Sequence, residues 1–102
     1  MKRCHLAFDR FFEVVAETDD AQAAQMTLGP GQSTGGPDNY HGDSDQWLFV
    51  HSGSGWAVVD DEEHSLQAGD LIRIEAGERH EIGADDDGLE TVNLYVPPRS
   101  DR

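Results

Sequence analysis

Gln46-Trp47-Leu48-Phe49-Val50-His51 is followed by Ser52-Gly53-Ser54-Gly55 and then by Trp56-Ala57-Val58-Val59. The two outer segments are rich in aromatic and β-branched residues, which favour strands. The middle segment places two glycines among serines, a composition typical of a tight connection. The stretch therefore predicts two strong strands joined by a Gly-rich hairpin turn.

Two further strands are predicted before this stretch. Residues 11–17 are aromatic and β-branched, and they end in the turn-forming cluster Thr18-Asp19-Asp20. Residues 21–28 contain alanines and glutamines that also suit a helix, but they stop at Gly29-Pro30-Gly31, so a hairpin of two strands is favoured. Residues 29–45 are rich in Gly, Pro, Ser, Asn and Asp, which predicts a long loop or a very irregular strand.

The second half of the chain alternates short strands with turns. Strands are predicted at residues 64–70 (entering a turn), 71–74, 80–83 and 89–96, and turns at 60–63, 75–79 and 84–88. No segment has the period of a helix, and turn signals recur every 8 to 12 residues or so. Eight to ten short strands of this kind predict an all-β sandwich or small barrel.

Composition excludes several classes of partner. The chain has 102 residues, enough for one domain, and carries 21 acidic against 7 basic residues, for a formal net charge of −14. Nucleic acids and anionic membranes require clustered Lys and Arg, so neither is expected as a partner. Lys2 is the only lysine, and an acidic, lysine-poor surface stays hydrated in concentrated salt. We therefore hypothesise a salt-loving source, the alternative being a solvated acidic surface with no special role.

Cysteine content and the N-terminus favour a cytoplasmic protein. Cys4 is the only cysteine, so no internal disulfide forms, and a reducing compartment fits. The chain opens with charges as a secretory leader does, but it reaches Asp9 and Arg10 before any apolar run develops. No stretch approaches the roughly 20 apolar residues that cross a bilayer.

The order of turns and histidines resembles that of the cupin superfamily. Residues 39–46, Asn-Tyr-His-Gly-Asp-Ser-Asp-Gln, resemble the first cupin motif, in which two histidines one residue apart are followed by a glutamate. Residues 69–80, which start at Gly69 and end at His80, resemble the second motif, a Gly, five residues, a Pro position, a Gly and then a His. The resemblance covers about residues 26–96 and implies a double-stranded β-helix, or jelly-roll barrel. We predict a single domain over 1–102, with N-terminal strands over 1–25, the barrel over 26–96 and a tail over 97–102.

Three positions depart from the cupin motifs. Asn39 replaces the first histidine, Gln46 the glutamate and Glu75 the proline, and Ala84 stands where an asparagine often follows the second motif. The departures leave the fold prediction intact, because the turns and the strand alternation carry it. They bear directly on the metal site that the family implies.

The resemblance implies a metal site built from His41, Gln46, His80 and, less directly, Asn39. Alternate side chains of a barrel strand point inward, so Asn39 and His41 share a side that Gln46 and His80 reach from neighbouring strands. Imidazole and amide ligands suit a divalent transition metal such as Zn, Ni, Fe or Mn. Sugar-acid-processing cupins include some with a glutamine at the position of Gln46.

Alternatives to this metal site and to its ligand set stay open. His41 and His80 could be polar cavity residues that hydrogen-bond to each other or to water, with no ion. Asp43 or Asp45 could supply the missing carboxylate if the loop folds back, although loop aspartates are more often solvated. Asn39 could serve the conformation of its Gly/Pro-rich loop rather than a metal.

Alternation also predicts what lies outside the barrel. His51 shares a strand face with Trp47 and Phe49, and this face should point outward. Gln46, Leu48 and Val50 lie on the opposite, inward face. An outward apolar patch commonly marks an interface, and the cupin resemblance implies a homodimer. The alternative is that the N-terminal strands, with Phe11 and Phe12, cover the patch within one chain.

Further residues are candidates for lining the cavity: Tyr40, Asn93 and Tyr95. Asn93 and Tyr95 share one face of a strong predicted strand, and a buried asparagine needs a hydrogen-bond partner from the protein, water or a ligand. Tyr40 lies between two candidate ligands and faces their site only if its loop twists.

Two main functions follow as hypotheses. The first is a metal-dependent cupin enzyme acting on a small polar metabolite, sugar-acid-like or otherwise oxygen-bearing, by Lewis-acid isomerisation or dioxygenase-type chemistry. The second is a non-catalytic module that binds a small ligand in the same cavity without an essential metal. A dimeric scaffold is a third, weaker hypothesis.

Overall fold

The computed structural model describes residues 1–35 and 42–99, and this part of the chain contains strands and no helix. Six strands follow one another along the chain: β1 Phe12–Glu17, β2 Gln22–Leu28, β3 Asp45–Val59, β4 Glu62–Gln67, β5 Leu71–Ile74 and β6 His80–Val96. All pairings between them are antiparallel. The described chain is therefore all-β, as the strand and turn signals predict.

The two long strands β3 and β6 form the spine of the sheet. The strand order in the sheet is β1-β2-β6-β3-β4, and β5 also pairs with β3. The β3–β6 ladder extends from Asp45 opposite Val96 to Val59 opposite His80, with register shifts at two places in β3. Such shifts bend a strand and increase its twist. The sheet consequently folds over on itself, and we call the folded sheet the barrel.

The predicted hairpin over residues 46–59 is wrong, because β3 is one continuous strand. Gly53 and Gly55 do not reverse the chain but let the β6 backbone pass close to β3. A Cβ atom at Gly53 would collide with the carbonyl oxygen of Gly88, and one at Gly55 with that of Gly83. The glycines therefore serve close backbone approach at the bends, one of the roles of glycine within a strand.

The predicted acidic turn over residues 84–88 is also wrong. Asp85, Asp86 and Asp87 are exposed, yet they lie within β6, which passes through them without a break. The Ser54 hydroxyl donates a hydrogen bond of 2.9 Å to Asp87 Oδ1 across the ladder. With residues 46–59 and 80–96 each forming one strand, the described residues contain six strands rather than the predicted eight to ten.

The other local predictions agree closely with the structure. β1 and β2 form the predicted N-terminal hairpin, and β5 exposes Arg73 as predicted. The turn predicted over residues 60–63 is shorter, because Glu62 and Glu63 already belong to β4. Only Asp60 and Asp61 make the reversal, with positive φ angles of 47° and 70°.

The core lies between the inner faces of the folded sheet. It is a single cluster of buried apolar side chains: Met26, Leu28, Leu48, Val50, Ala57, Leu66, Ile74, Ile82, Ala84 and Leu89. Along β3, the buried residues Gln46, Leu48 and Val50 alternate with the exposed Trp47 and Phe49. This alternation confirms which face of the predicted strand is inward.

We predict that Gly55→Ala destabilises the protein by about 1–3 kcal/mol, because the added methyl group pushes the β6 backbone away from β3. Ser54→Ala, which removes only a partly exposed hydroxyl at the neighbouring position, should cost less than about 1 kcal/mol. Urea unfolding of both variants measures the difference. Equal stabilities would contradict the role assigned to the close approach.

Candidate functional site

Buried polar side chains gather at one end of the barrel. Gln22, Gln46, Thr91, Asn93 and Tyr95 are each at most 3% exposed. They come from three adjacent strands, in which Gln22 of β2 pairs with Tyr95 of β6 and Tyr95 pairs with Gln46 of β3. The register therefore places Gln22, Tyr95 and Gln46 in one row across the sheet, which we call the polar row.

A chain of hydrogen bonds fixes how the Gln46 amide is oriented. The Thr91 hydroxyl donates to the carbonyl oxygen of Met26 at 2.9 Å. Because its one proton is used there, Thr91 Oγ1 accepts from Asn93 Nδ2 at 3.0 Å. Asn93 Oδ1 then accepts from Gln46 Nε2 at 2.9 Å. Each step removes the alternative orientation of the next amide.

The end of this chain is the oxygen of Gln46. Gln46 Oε1 is buried and has no hydrogen-bond partner among residues 1–35 and 42–99. A buried acceptor without a partner is uncommon in folded proteins. Thr91, Asn93 and Gln46 together thus direct one amide oxygen lone pair into the barrel, where a cation or a hydrogen-bond donor would satisfy it.

His80 begins β6 and is 5% exposed. Its Nδ1 lies 3.2 Å from the Glu78 carbonyl oxygen, so Nδ1 carries the proton and donates, and Nε2 carries the lone pair. Burial lowers the pKa of His80 below 6.5, although the carbonyl and the carboxylate of Glu78 both oppose the shift. The side chain is therefore neutral at pH 7, the form in which imidazole binds metals.

The turn at residues 75–79 brings His80 to the same end of the barrel as Gln46. Gln46 pairs with Ile74, the last residue of β5 before the turn. The amide of Ala76 in the turn donates to Asp45 Oδ1 at 2.9 Å. After the turn, the amide of Arg79 donates to Asp60 Oδ1 at 2.9 Å, directly before His80. Gln46 and His80 are thus held by one anchored connection.

The remaining predicted site residues have mixed outcomes. Asn39, Tyr40 and His41 lie outside the described residues. Asp45 has structural contacts, since it accepts from Ala76 and lies 3.9 Å from Arg73. Within residues 1–35 and 42–99, no three or more His, Cys, Asp or Glu residues form a group that could hold a metal.

Two polar residues of this end, Gln22 and Thr91, are not among the site residues predicted from the sequence. The signal for Gln22 is the alternation within β2, which puts it on one face with Ala24, Met26 and Leu28. The signal for Thr91 is the same alternation with Asn93 and Tyr95 in β6. No local signal shows that Thr91 orients the amides of Asn93 and Gln46.

The site chemistry is compatible with a divalent transition metal. Gln46 Oε1 is a buried oxygen donor without a partner among the described residues, and His80 is a neutral imidazole whose Nδ1 donates to the Glu78 carbonyl oxygen. Together they give two neutral donors of the kinds such metals accept. A complete shell needs further ligands, and His41 and Asn39 are the candidates from the sequence.

The outer face of the barrel carries apolar side chains. Trp47, Phe49, Leu71 and Leu94 are 38%, 41%, 58% and 44% exposed, and we call these four residues the apolar face. Their register places them side by side, since Trp47 pairs with Leu94 and Phe49 with Leu71. The Arg73 guanidinium lies over the Trp47 ring at 5.7 Å from its centroid.

The alternative that Phe11 and Phe12 cover this patch is wrong. Phe11 is 53% exposed. Phe12 packs against the core, with its ring centroid 6.3 Å from that of Tyr95. The N-terminal segment does contact His51, since the Phe8 ring stacks on it at 4.7 Å between centroids, but the His51 side chain stays 54% exposed.

Comparison with known proteins identifies relatives over most of the chain. The model of a family described as the cupin domain matches residues 24–97. Among solved structures, KdgF from Halomonas sp. is 26% identical, with 88% of this chain and 80% of that chain covered and a TM-score of 0.79. An RmlC-like cupin from Desulfovibrio desulfuricans is 23% identical over 96% of this chain and 98% of that chain, with a TM-score of 0.82. A cupin from Bacteroides fragilis is 24% identical over 100% and 87% of the two chains, with a TM-score of 0.78.

No curated protein matches this sequence. In the part of the chain that the structure describes, no helix is long and apolar enough to span a membrane.

The lowered pKa of His80 predicts a pH dependence of stability. The folded protein binds a proton at this imidazole less readily than the unfolded chain, whose pKa is near 6.5. Neutral His80 therefore makes its full contribution to the free energy of unfolding above pH 6.5. As the pH falls from 6.5 toward the lower pKa of the folded state, the free energy of unfolding decreases by at most about 1.4 kcal/mol per pH unit.

Urea unfolding of chelator-treated protein between about pH 7.5 and about pH 5.5 measures this loss. In His80→Asn the decrease should be shallower than in the wild type. His64→Asn is the control, because His64 is exposed and its variant should keep the wild-type slope. A His80→Asn slope equal to the wild type would contradict the prediction.

Proposed function

The chain belongs to the cupin family, and we propose that it is a small metal-binding cupin that acts on a small polar metabolite inside its barrel. One observation carries the proposal: the buried Gln46 Oε1 has no hydrogen-bond partner among the described residues, while Asn93 and Thr91 hold it in a fixed orientation. A metal ion would satisfy this oxygen. Without a cation or donor, its burial would destabilise the fold.

The proposed ligands are His80 and Gln46, completed by His41 and Asn39. All four are neutral, whereas a glutamate in place of Gln46 would add one negative charge. A neutral shell binds divalent cations more weakly but withdraws less of their positive charge. Zn, Ni, Fe or Mn bound there would supply Lewis-acid or redox chemistry to an oxygen-bearing substrate.

The chain's own residues contribute orientation and exclusion of water. Asn93 and Thr91 hold the Gln46 amide, and the Glu78 carbonyl holds the His80 ring in the tautomer that presents Nε2. Such outer contacts fix the geometry of metal ligands and tune their donor strength. Tyr95, 2% exposed, lies beside Gln46 in the polar row and helps to exclude water from this end of the barrel.

The nature of the metabolite rests on the glutamine at position 46. The resemblance to cupins with a glutamine at this position, some of which process sugar acids, supports a sugar-acid-like substrate. The likeness to KdgF from Halomonas sp. extends over 88% of the chain at 26% identity and supports a functional relation beyond the shared fold. Isomerisation and dioxygen-dependent oxidation are the two reaction classes that we propose for it.

Metal analysis of the purified protein tests the proposal. We expect a near-stoichiometric transition metal in the wild type, and its loss in both His80→Ala and His41→Ala, because each removes an imidazole ligand. Gln46→Glu should retain the metal against higher chelator concentrations than the wild type, since it adds a carboxylate. His64→Ala, an exposed histidine on β4, is the matched control and should keep full metal content.

Two results would contradict the metal proposal. One is a wild type that folds normally and stays metal-free after metal loading, which would favour the non-catalytic binding module. The other is loss of metal from His64→Ala to the same degree as from His80→Ala, which would indicate adventitious binding to histidines in general.

We also propose that two copies pair through the apolar face and that the protein operates in concentrated salt. Most of the surface of a chain with net charge −14 repels a second copy. The apolar face carries no acidic side chain of its own, and the neighbouring Arg73 lies within 4 Å of acidic groups of Asp45 and Glu75. Contact at this face therefore buries apolar area while bringing few like charges together.

Sedimentation measurements at about 0.1 M and about 2 M KCl test this pairing, because salt screens the repulsion between copies. The wild type should be a dimer, more completely at high salt. Trp47→Asp should be a monomer under both conditions, whereas Trp56→Phe, a substitution outside the apolar face, should remain a dimer. A monomeric wild type at both salt concentrations would exclude this interface.

A further inference from the structure

Positive charge is concentrated in the segment that precedes β1. Residues 1–10, which we call the arm, contain Lys2, Arg3 and Arg10 against the single acidic residue Asp9, for a net charge of +2. Since the whole chain carries −14, residues 11–102 carry −16. The arm is therefore a cationic segment attached to a strongly anionic barrel, and it attracts any surface charged as the barrel is.

Two of the cations in the arm have no partner among the described residues. Lys2 and Arg3 are exposed, and neither side chain forms an ion pair, a hydrogen bond or an aromatic contact there. Arg10, by contrast, lies 3.8 Å from Glu13 of its own chain. The other described arginines also interact within the chain: Arg73, Arg79 and Arg99. Lys2 and Arg3 are thus the described cations that remain available to another molecule.

The arm is anchored on the same outer face of the sheet as the apolar face. The Phe8 amide donates to Gln25 Oε1 at 2.9 Å, and the Phe8 ring stacks on His51. Gln25 lies on the outer face of β2, where it pairs with Val92, and Val92 pairs with Phe49 of the apolar face. Two strand spacings, about 10 Å, therefore separate this anchor from the apolar face.

A second anchor holds the start of the arm. Cys4 Sγ donates a hydrogen bond of 3.3 Å to the carbonyl oxygen of Val15. Val15 stands at the irregularity in β1, next to Ala16, and Ala16 pairs with Ala23. Ala23 in turn pairs with Leu94 of the apolar face. The start of the arm is therefore held at β1, two strands away from Leu94.

The charges of the chain select the partner. Two copies that meet at their apolar faces bring two bodies of −16 close together, and this repulsion opposes the contact. A segment that borders the apolar face lies at the rim of such a contact, where its cations face the barrel of the other copy. The arm therefore offsets part of the repulsion. A nucleic acid would meet the same repulsion from the barrel without offering apolar area to bury.

We propose that the arm of each copy binds the acidic barrel of a second copy, with Lys2 and Arg3 at the rim of a dimer that pairs through the apolar face. The proposal rests on the proposed pairing of two copies and adds to it the segment that binds the partner. Because the attraction acts between exposed charges, its range falls from about 10 Å at 0.1 M salt to about 3 Å at 1 M salt. The arm thus strengthens the dimer in dilute salt and has no effect in concentrated salt.

Sedimentation of Arg3→Gln and Arg10→Gln at about 0.1 M and about 2 M KCl tests the proposal. Both substitutions remove one positive charge from the arm, but Arg10 already has Glu13 as a partner in its own chain. At low salt the dimer dissociation constant should rise about threefold in Arg3→Gln and about tenfold in the double variant Lys2→Gln/Arg3→Gln, because a two-fold dimer loses each contact twice. Arg10→Gln should stay within about twofold of the wild type, and at high salt all variants should equal it.

Carbodiimide cross-linking locates the contact. Lys2 is the only lysine of the chain, so its amine forms an amide with whichever activated carboxylate lies next to it. In dimers mixed from ¹⁵N-enriched and unenriched wild type, mass spectrometry should find Lys2 joined to an acidic residue of the other copy at low salt, and far less of this product at high salt. Lys2→Arg is the control, because it keeps the charge and the dimer but removes this cross-link.

Failure of this inference differs from failure of the proposed pairing. A wild-type dimer that Arg3→Gln leaves unchanged at low salt, or whose Lys2 cross-links stay within one copy, overturns the role of the arm and leaves the pairing intact. Equal weakening by Arg3→Gln and Arg10→Gln also overturns it, since net charge alone would then explain the effect. A wild type that is monomeric at both salt concentrations overturns the pairing and the role of the arm together, whatever its metal content.

Discussion

The antiparallel ladder between β3 and β6 holds the two halves of the barrel together. It joins residues 45–59 to residues 80–96, and each of the two strands has further partners on its other side: β4 and β5 for β3, and β2 for β6. A strand paired on both edges has its backbone groups satisfied by the sheet and can continue through a bend. The glycines at the bends therefore act within a strand, and the ends of the ladder determine where Gln46 and His80 lie. The site depends on this one pairing more than on any single side chain.

The hydrogen bonds inside the barrel form a chain in which every donor and acceptor is fixed. This chain determines that Gln46 presents its oxygen, and not its NH₂ group, to the site. It starts at a backbone carbonyl, that of Met26, which can only accept, and passes through Thr91 and Asn93 to Gln46. A hydroxyl with one proton and two amides with distinct ends leave a single consistent arrangement, so an oxygen rather than an NH₂ group faces the interior. Replacing Thr91 by an apolar residue would leave the orientation of both amides undetermined while Gln46 itself stayed in place. Residues that never contact a ligand can thus decide whether the site presents an acceptor or a donor.

Local sequence signals predicted correctly which residues form strands. They did not predict that two pairs of these strands are continuous through the glycine-containing segments between them. Alternation placed Gln46, Leu48 and Val50 inward, and it placed Asn93 and Tyr95 on one face. The errors at residues 52–55 and 84–88 share a cause: a glycine that reverses the chain and a glycine that admits a neighbouring backbone have the same local composition, and only the partner strand distinguishes them. In the site, motif spacing singled out Gln46 and His80, whereas Gln22 was missed. Nothing within a few residues of Gln22 shows that it lacks a partner, since that property depends on strands about seventy positions away along the chain.

Charge is divided sharply between the surface and the interior of this protein. Twenty-one acidic residues give the chain its net charge of −14, whereas Gln22, Gln46, Asn93, Thr91 and Tyr95 are uncharged and burial keeps His80 neutral near pH 7. The negative surface charge repels an anionic metabolite, and salt limits the range of this repulsion to about 8 Å at physiological ionic strength. Inside, the members of the polar row are uncharged, and the nearest cationic group among the described residues is the Arg99 guanidinium, which lies over the Tyr95 ring at 5.1 Å from its centroid. The outer field repels a polyanion more strongly than a singly charged molecule, so the surface charge acts on a ligand before any contact inside the barrel does.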